Sequence, residues 1–204
     1  EYPTGTINTA NAFIDAKGLK ALNLSGNWLG GPTTISTRNK TIEVAGSLDG
    51  SKLIELIALQ TPALNKSIKN YLKGSLGYQG SFSFEANNFN HNLNLDFRQT
   101  QLDFPEPIVK PMGLPMMGNL KLIGNSNAFD WQFKLDSLLN SAGNLRDNTI
   151  TRHSLAIGDA SLPSVNNGIR VNIDVATLNI DQWNQLLVKP KKIDSFEAAK
   201  SLSR

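Results

Sequence analysis

The sequence predicts a mainly β protein made of antiparallel strands, each with one apolar and one polar face. Apolar and polar residues alternate in segment after segment of the chain, as they do in strands that have one face in water. Charged residues make up only 18% of the chain, against about 25% in average globular proteins. Turn-forming residues at 49–50, 125–127 and 166–168 separate the alternating segments.

The alternating positions indicate which residues share a face, because successive side chains of a strand point to opposite sides. In the first half of the chain the apolar positions are Leu22, Leu24, Trp28, Ile42, Val44 and Leu48. In the second half the alternation is cleaner, at Leu93, Leu95, Phe97, Leu120, Leu122, Phe129, Trp131, Phe133, Leu135, Leu155, Ile157, Ile169, Val171, Ile173 and Val175. Each set is expected to form the apolar face of its strand.

Three short segments have helical spacing. The best lies in residues 51–59, where Ser51 is the expected N-cap and apolar residues follow at i, i+3 and i+4, namely Leu53, Leu56 and Ile57. A second candidate covers residues 63–72. The third begins at Asp181, whose carboxylate is the expected cap, with Ile180 packing as a hydrophobic staple.

The stretch over residues 99–118 contains four prolines and has no sustained period. Proline cannot donate to a strand ladder, so a long ordered loop or crossover outside the central sheet is predicted there. At 204 residues the chain is expected to form one continuous domain over residues 1–188. A tail or linker, either a short helix or a mobile end, is expected over residues 189–204.

No catalytic constellation stands out, and the prediction is a protein that is not an enzyme and has no cofactor or metal. The chain has no cysteine, which excludes disulfides, thiolate metal sites and a Cys nucleophile. His91 and His153 are too far apart for a local metal motif and are expected to be polar residues at strand ends. Asp103 and Glu106 form a carboxylate pair, but the prolines beside them favour a rigid loop over acid–base chemistry.

The charge distribution gives little support for a polyanionic partner. The net charge is +3, but the basic residues are scattered along the chain. Nucleic-acid binding is therefore not predicted, and a weak attraction to anionic lipid headgroups is the sharper interpretation. No stretch approaches the roughly 20 apolar residues that cross a bilayer. Any membrane anchor is expected to lie outside this chain.

Three dispersed motifs carry a family resemblance: Ser-Gly-Asn-Trp-Leu-Gly-Gly-Pro at 25–32, Leu-Asp-Phe-Pro-Glu-Pro at 102–107 and Leu-Asn-Ile-Asp-Gln-Trp at 178–183. Together they resemble the C-terminal region of the YhdP-type proteins, in the AsmA-like superfamily of Gram-negative envelope proteins. Asn179 and Asn184 depart from the Asp or Ala expected there. The residues of these motifs interpreted as structural are Trp28, Gly30, Gly31, Pro32, Asp181 and Trp183, and a sharp turn is expected at Gly30, Gly31 and Pro32.

The resemblance implies an inner-membrane-anchored, periplasm-spanning protein whose curved, open β-groove carries phospholipids between the inner and outer membranes. It implies as partners phospholipid acyl chains, the remainder of the same polypeptide and envelope proteins at the groove ends. The candidate groove residues are then Leu93, Leu95, Phe97, Leu120, Leu122, Phe129, Trp131, Phe133, Val171, Ile173 and Val175.

From the residues alone, a closed β-sandwich acting as a non-catalytic binding or scaffold module of the envelope stays open as the alternative. Its strands would show the same alternation, with two apolar faces packed against each other. Burying one Leu, Phe or Val contributes roughly 1.5–3 kcal/mol whether the neighbour is protein or an acyl chain. The energetics therefore do not separate the two folds, and only the geometry of the sheet does.

Overall fold

Thirteen strands and two helices make up the described part of the chain in a computed structural model. The structure describes residues 5–15, 18–38, 41–60, 70–85, 87–147 and 149–186. In chain order the elements are β1 (Thr6–Asp15), β2 (Gly18–Trp28), β3 (Gly31–Arg38), β4 (Thr41–Asp49), α1 (Gly50–Gln60), β5 (Leu72–Glu85), β6 (Asn88–Asp96), β7 (Thr100–Asp103), β8 (Val109–Lys110), β9 (Met117–Gly124), β10 (Ala128–Leu135), β11 (Leu139–Arg146), β12 (Thr149–Gly158), β13 (Gly168–Asp174) and α2 (Ile180–Leu186).

The strands form one open sheet. Its main path runs β1-β2-β3-β4-β5-β6-β9-β10-β11-β12-β13, with β7 and β8 attached beside β5. Within the described residues β1 and β13 are the two edges of this path, and they do not pair with each other. The predicted mainly β, antiparallel architecture with few helices is confirmed. The alternative of a closed sandwich is wrong, because the strands of the described residues belong to one open sheet and no second sheet packs on it there.

The ladder keeps the apolar residues of neighbouring strands on one side of the sheet. Leu93 lies opposite Leu120, which lies opposite Phe133. This side is called the apolar face. Lys121 lies opposite Gln132 on the other side, the polar face. Because the pairing carries the alternation of each strand into its neighbour, the same two faces extend over the whole path.

The last strand departs from the predicted antiparallel pattern, since β13 runs parallel to β12. The turn residues at 166–168 therefore do not form a hairpin. Instead residues 159–167 carry the chain back over the polar face, where Pro163 and Val165 line a cavity together with Gln132 and Ser154. A parallel neighbour requires such a crossover, because a tight turn reverses the strand direction.

The two margins of the sheet are built differently. At one margin β5–β6, β9–β10 and β11–β12 are joined by two or three residues each. This margin is called the open rim. At the other margin residues 50–71 connect β4 to β5 and residues 97–116 connect β6 to β9. These long connections carry α1, β7 and β8, and this margin is called the covered rim.

The most buried core lies under the covered rim. Its buried members are Leu29, Leu48, Ile54, Leu72, Leu76, Tyr78, Phe97, Leu102 and Leu135. In α1, Leu53 and Leu56 pack partly buried against this cluster, as their spacing predicts. The buried residue is Ile54, which is not among the predicted positions, and the side chain of Ile57 lies outside the described part of the chain. The predicted cap is wrong, because Asp49 rather than Ser51 caps the helix. The Asp49 carboxylate accepts from the Ser51 amide at 2.8 Å and from its hydroxyl at 2.6 Å.

The proline-rich segment lies beside the main path, as predicted, over residues 99–116, although it contains two short strands; the last two residues of the predicted stretch, Met117 and Gly118, begin β9 within the main path. β7 pairs with the beginning of β5 and with β8. Lys110 is only 3% exposed, and its Nζ donates to the carbonyls of Thr100 at 2.7 Å and Pro111 at 3.0 Å. These charge-assisted bonds hold the segment against the core.

Several sequence predictions fall on residues outside the described ranges. The helix predicted over 63–72 lies mostly there, and its last residue, Leu72, begins β5 instead. The boundary at residue 188 and the tail at 189–204 also lie outside the described residues.

The Leu29–Gly30 turn joins β2 to β3 and confirms the sharp turn expected at Gly30. Leu29 and Gly30 have φ values of 48° and 82°, the left-handed pair that two-residue hairpin loops require. Leu29 is nonetheless 2% exposed, and its carbonyl accepts from the Asp49 amide at 2.8 Å. On either side of the turn, Trp28 lies opposite Gly31 and Asn27 opposite Pro32.

Gly31 offers a test of this close packing. A Cβ added there would lie 2.1 Å from the Ser47 carbonyl oxygen, whereas at Gly77 it would lie 3.3 Å from its nearest neighbour, the Asp96 Cβ. We expect Gly31→Ala to lower the free energy of unfolding by about 1–3 kcal/mol, because the backbone must shift. The control Gly77→Ala should change it by less than about 0.5 kcal/mol. Urea unfolding followed by circular dichroism measures both, and equal losses would contradict the assignment.

Candidate functional site

The apolar face consists of cross-strand rows that can be followed from the open rim to the covered rim. The rim row contains Phe84, Phe89, Phe129 and Leu145. The second row contains Phe82, His91, Leu122, Trp131, His153 and Ile169. The third contains Leu93, Leu120, Phe133, Leu155 and Val171, and the fourth Tyr78, Leu95, Leu135, Leu139, Ile157 and Ile173.

Nine of the eleven candidate groove residues lie in these rows. They are Leu93, Leu95, Leu120, Leu122, Phe129, Trp131, Phe133, Val171 and Ile173. Phe97 follows the end of β6 and is buried in the core under the covered rim. Val175 follows the end of β13, where its side chain lies against Gly158. The structure thus brings the candidates together on one surface, and their contact with lipid stays a prediction.

A cavity of about 740 Å³ lies on the apolar face. It is lined by residues of β1 to β6 and β9 and by Leu53 of α1, so it extends across the strands rather than along one of them. Trp28, which is 41% exposed, also lines it. The hydroxyls of Thr33 and Tyr78 point into this region and bond to each other at 2.5 Å, which leaves neither unpaired.

None of the eleven groove residues predicted from the sequence lies in the first half of the sheet, which supplies much of this cavity. The omitted lining residues include Leu24, Ile35, Val44, Leu48, Leu76, Tyr78 and Phe82. A signal was present, because Leu24, Val44 and Leu48 belong to the alternating positions. Alternation identifies an apolar face but does not say which part of that face encloses space.

Part of the apolar face is in contact with solvent. Val171 and Ile173 are each 46% exposed, and Ile169 beside them is 70% exposed. Phe84 at the open rim is 52% exposed. A soluble domain rarely leaves a contiguous apolar surface uncovered unless it binds something there. The face therefore has the properties of a binding surface rather than of a packed core.

Seven rings form a continuous chain of contacts in the rim row and the second row. The ring of Phe89 stacks on His91 with centroids 4.6 Å apart and contacts Phe129 at 6.0 Å. Trp131 continues the chain, 6.5 Å from Phe129 and 5.5 Å from His153. Phe82 and Phe84 complete it on the other side of His91. The apolar face is thus aromatic near the open rim and mostly aliphatic in the third and fourth rows.

Both histidines lie within strands on the apolar face, not at strand ends as expected. The Nδ1 of His91 is buried among the rings without a hydrogen-bond partner of good geometry. Burial lowers the pKa of His91, and the Asn90 backbone opposes this shift only weakly. The Nε2 of His153 instead shares a hydrogen bond of 2.9 Å with the Ser141 hydroxyl. Sequence spacing could not reveal this, because the rings around His91 come from two strands, β5 and β6, that only the ladder brings together.

The α2 helix holds the proline-rich segment in place. The indole Nε1 of Trp183 donates to the Glu106 carbonyl at 2.9 Å, and its ring stacks on Phe104 with centroids 6.4 Å apart. The predicted cap and staple are wrong. The Asn179 side chain, not Asp181, accepts from the Gln182 amide at 3.0 Å, and Ile180 is 63% exposed.

Asp103 and Asp130 make ion pairs that hold neighbouring strands together. Asp103 accepts from Gln101 and pairs with Lys73 at 3.0 Å, and these two contacts lower the pKa of its carboxyl. On the polar face Asp130 pairs with Arg146 at 3.2 Å and Arg152 at 3.8 Å. In the part of the chain that the structure describes, no three metal-ligating side chains cluster, and neither helix is long and apolar enough to cross a membrane.

Comparison with known proteins agrees with the motifs found in the sequence. The family model described as YhdP protein matches residues 6–202. The chain belongs to the YhdP family. It is 26% identical over 190 residues to the intermembrane phospholipid transporter YhdP of Escherichia coli (strain K12). That match covers 87% of this chain and 15% of the relative, so the chain spans a small part of the relative's length. No solved structure matches it.

The burial of His91 leads to a prediction about pH. Its pKa is near 6.5 in the unfolded chain and lower in the fold. As the pH falls through 6.5, the unfolded chain takes up a proton that the folded chain does not, so the free energy of unfolding decreases. His91→Phe removes the unpaired nitrogen but keeps a ring. We expect it to raise stability by about 1 kcal/mol and to reduce the acid-induced loss.

Urea unfolding at about pH 8 and about pH 5.5 measures both effects. The matched control is His153→Phe, which deprives Ser141 of its hydrogen-bond partner and is expected to lower stability. A His91→Phe protein that is less stable than wild type, or that keeps the same pH dependence, would show that the fold does not disfavour the charged imidazole.

Proposed function

We propose that this chain is a periplasmic portion of an inner-membrane-anchored protein and that its apolar face carries phospholipids between the inner and outer membranes. The observation that carries the proposal is the continuous apolar face, which keeps Ile169, Val171 and Ile173 in contact with solvent at its β13 side. Membership of the YhdP family supports the same conclusion, since the relative in Escherichia coli is described as an intermembrane phospholipid transporter.

The proposed cargo fits the chemistry of this face. Moving each acyl methylene from water onto an apolar surface contributes about 0.8 kcal/mol. Eleven neighbouring strands at about 4.8 Å spacing give roughly 50 Å of sheet measured across the strands. An acyl chain can therefore move from strand to strand without losing apolar contact. No nucleophile, general base or metal is needed, and the proposed activity is not enzymatic.

We further infer a groove domain over residues 1–188 and a tail or linker over residues 189–204. The groove continues into the remainder of the same polypeptide, and envelope proteins meet its ends. The scaffold alternative rested on a closed sandwich, and the single open sheet removes that premise.

Photocrosslinking tests the proposal directly. A photoreactive amino acid at Trp131 faces the apolar side, and one at Gln132 faces the polar side of the same strand. In cells we expect phospholipid adducts from position 131 and none from position 132. Equal labelling at both positions, or none in a folded protein, would rule out this face as the path of the lipid.

A charge on the groove surface should block transport at little cost to folding. Ile173 is 46% exposed, so Ile173→Asp should lower the free energy of unfolding by less than about 1 kcal/mol. A carboxylate there must lose its water when an acyl chain passes, which costs several kcal/mol. We expect at least a tenfold loss of lipid transfer. Gln132→Glu adds the same charge at an exposed position of the polar face and is the control. Equal transfer by both variants would contradict the assignment.

A further inference from the structure

We propose that lipid headgroups emerge at the open rim, and that His91 and His153 bind the glycerophosphate oxygens of two separate lipid molecules. The inference rests on the proposed function and deepens it, because it says how lipids are oriented in the groove.

Beside β4, β5, β6 and β9 the covered rim leaves little room for a headgroup, whereas short turns join β2 to β3 and β10 to β11 at this margin. There α1, β7, β8 and the proline-rich segment pack onto the ends of the strands, and the buried core lies beneath them. Trp183 further ties α2 to this segment. At the open rim, strands are joined by short connections and Phe84 is 52% exposed. A hydrated headgroup attached to a chain on this part of the apolar face therefore reaches water at the open rim.

From the covered rim to the open rim the rows change from aliphatic to aromatic, which matches the change in a lipid from its acyl chains to its headgroup. Aliphatic side chains dominate the third and fourth rows, next to the covered rim. Rings fill the rim row and much of the second row. Aromatic side chains are favoured where an apolar region meets a polar one. The ring-bearing rows are thus where the ester and phosphate groups of a bound lipid would lie, with its acyl chains pointing toward the covered rim.

The two imidazoles place hydrogen-bonding nitrogens at this level of the groove. The Nδ1 of His91 is buried without a well-aligned partner, between the rings of Phe82, Phe84 and Phe89. Of these, Phe84 is half exposed and stands next to the end of β5, so its side chain can turn away without displacing a strand. The His153 ring lies beside Trp131 and shares its Nε2 with Ser141. An N–H of either imidazole can donate to an ester or phosphate oxygen.

The spacing of the histidines indicates two positions rather than one. His91 and His153 share the second row and are four strands apart, in β6 and β12. At about 4.8 Å per strand they are roughly 19 Å apart along the sheet, too far to hold a single phosphate. Each imidazole therefore binds a different lipid molecule.

The test compares a phospholipid with a ligand that has no polar part. Binding of dioleoylphosphatidylethanolamine and of hexadecane is measured for the wild-type chain, His91→Phe, His153→Phe and the double variant. We expect the double variant to lose about tenfold in affinity for the phospholipid and to keep its affinity for hexadecane. Leu120→Ala, which shortens a cavity-lining side chain, should weaken the binding of both ligands alike.

Imidazole ¹⁵N resonances provide a readout that a purely structural role would not change. We expect the resonances of both histidines to shift on adding the phospholipid and to stay in place on adding hexadecane. If the double variant binds both ligands like wild type, or loses both equally, the inference is overturned while the proposed function stands. If the wild-type chain binds neither ligand, the proposed function fails together with it.

Discussion

The rest of the structure depends on the pairing register of the strands. The alternation within a strand decides only which residues share a side, and the ladder then decides whether neighbouring strands turn that side the same way. A slip of one residue would reverse a whole strand. Where β11 and β12 shift register after Asn144, the irregularity brings Ile150 opposite Leu145, so an apolar pair continues the face to the open rim. Local irregularity thus preserves the global pattern.

Stability and binding surface are separated across the width of the sheet. The most deeply buried side chains, such as Leu29, Leu72, Leu76 and Leu102, lie under the covered rim. Because this margin carries its own core, the remainder of the apolar face does not have to be packed against protein. A sandwich of the same strands would bury that face completely. An open sheet with one stabilised margin keeps it available to a ligand.

In the aromatic part of the apolar face, His91 lowers the stability of the fold. A buried nitrogen without a good partner costs about 1–3 kcal/mol, and the rings around His91 would accommodate another ring in its place. Native proteins pair nearly all their buried polar groups, so an exception calls for a reason. Across the same row, His153 has a hydroxyl partner in Ser141. The two histidines on the apolar face therefore differ: His153 is hydrogen-bonded, whereas the Nδ1 of His91 is not. This difference points to the apolar face as a surface where a polar group can be needed for binding.

The sequence by itself determined the β class, the apolar side of most strands, the turn at Gly30 and the exclusion of the proline-rich segment from the main path. These features are local, since they follow from the two-residue period of a strand and from the backbone limits of glycine and proline. The sequence also indicated the family, through the short motifs at 25–32, 102–107 and 178–183. Its cap assignments failed at Ser51 and Asp181 because the neighbouring Asp49 and Asn179 compete for the same amides.

Only the tertiary structure decided that the sheet is open, that β13 runs parallel to β12, and that the two histidines face the groove. None of these is encoded in a local period. Whether a sheet closes depends on which edges find partners, and the direction of β13 depends on the path of residues 159–167 over the polar face. The surroundings of His91 come from strands that the ladder brings together, so the long-range pairing of the chain, rather than any single segment, creates the candidate site.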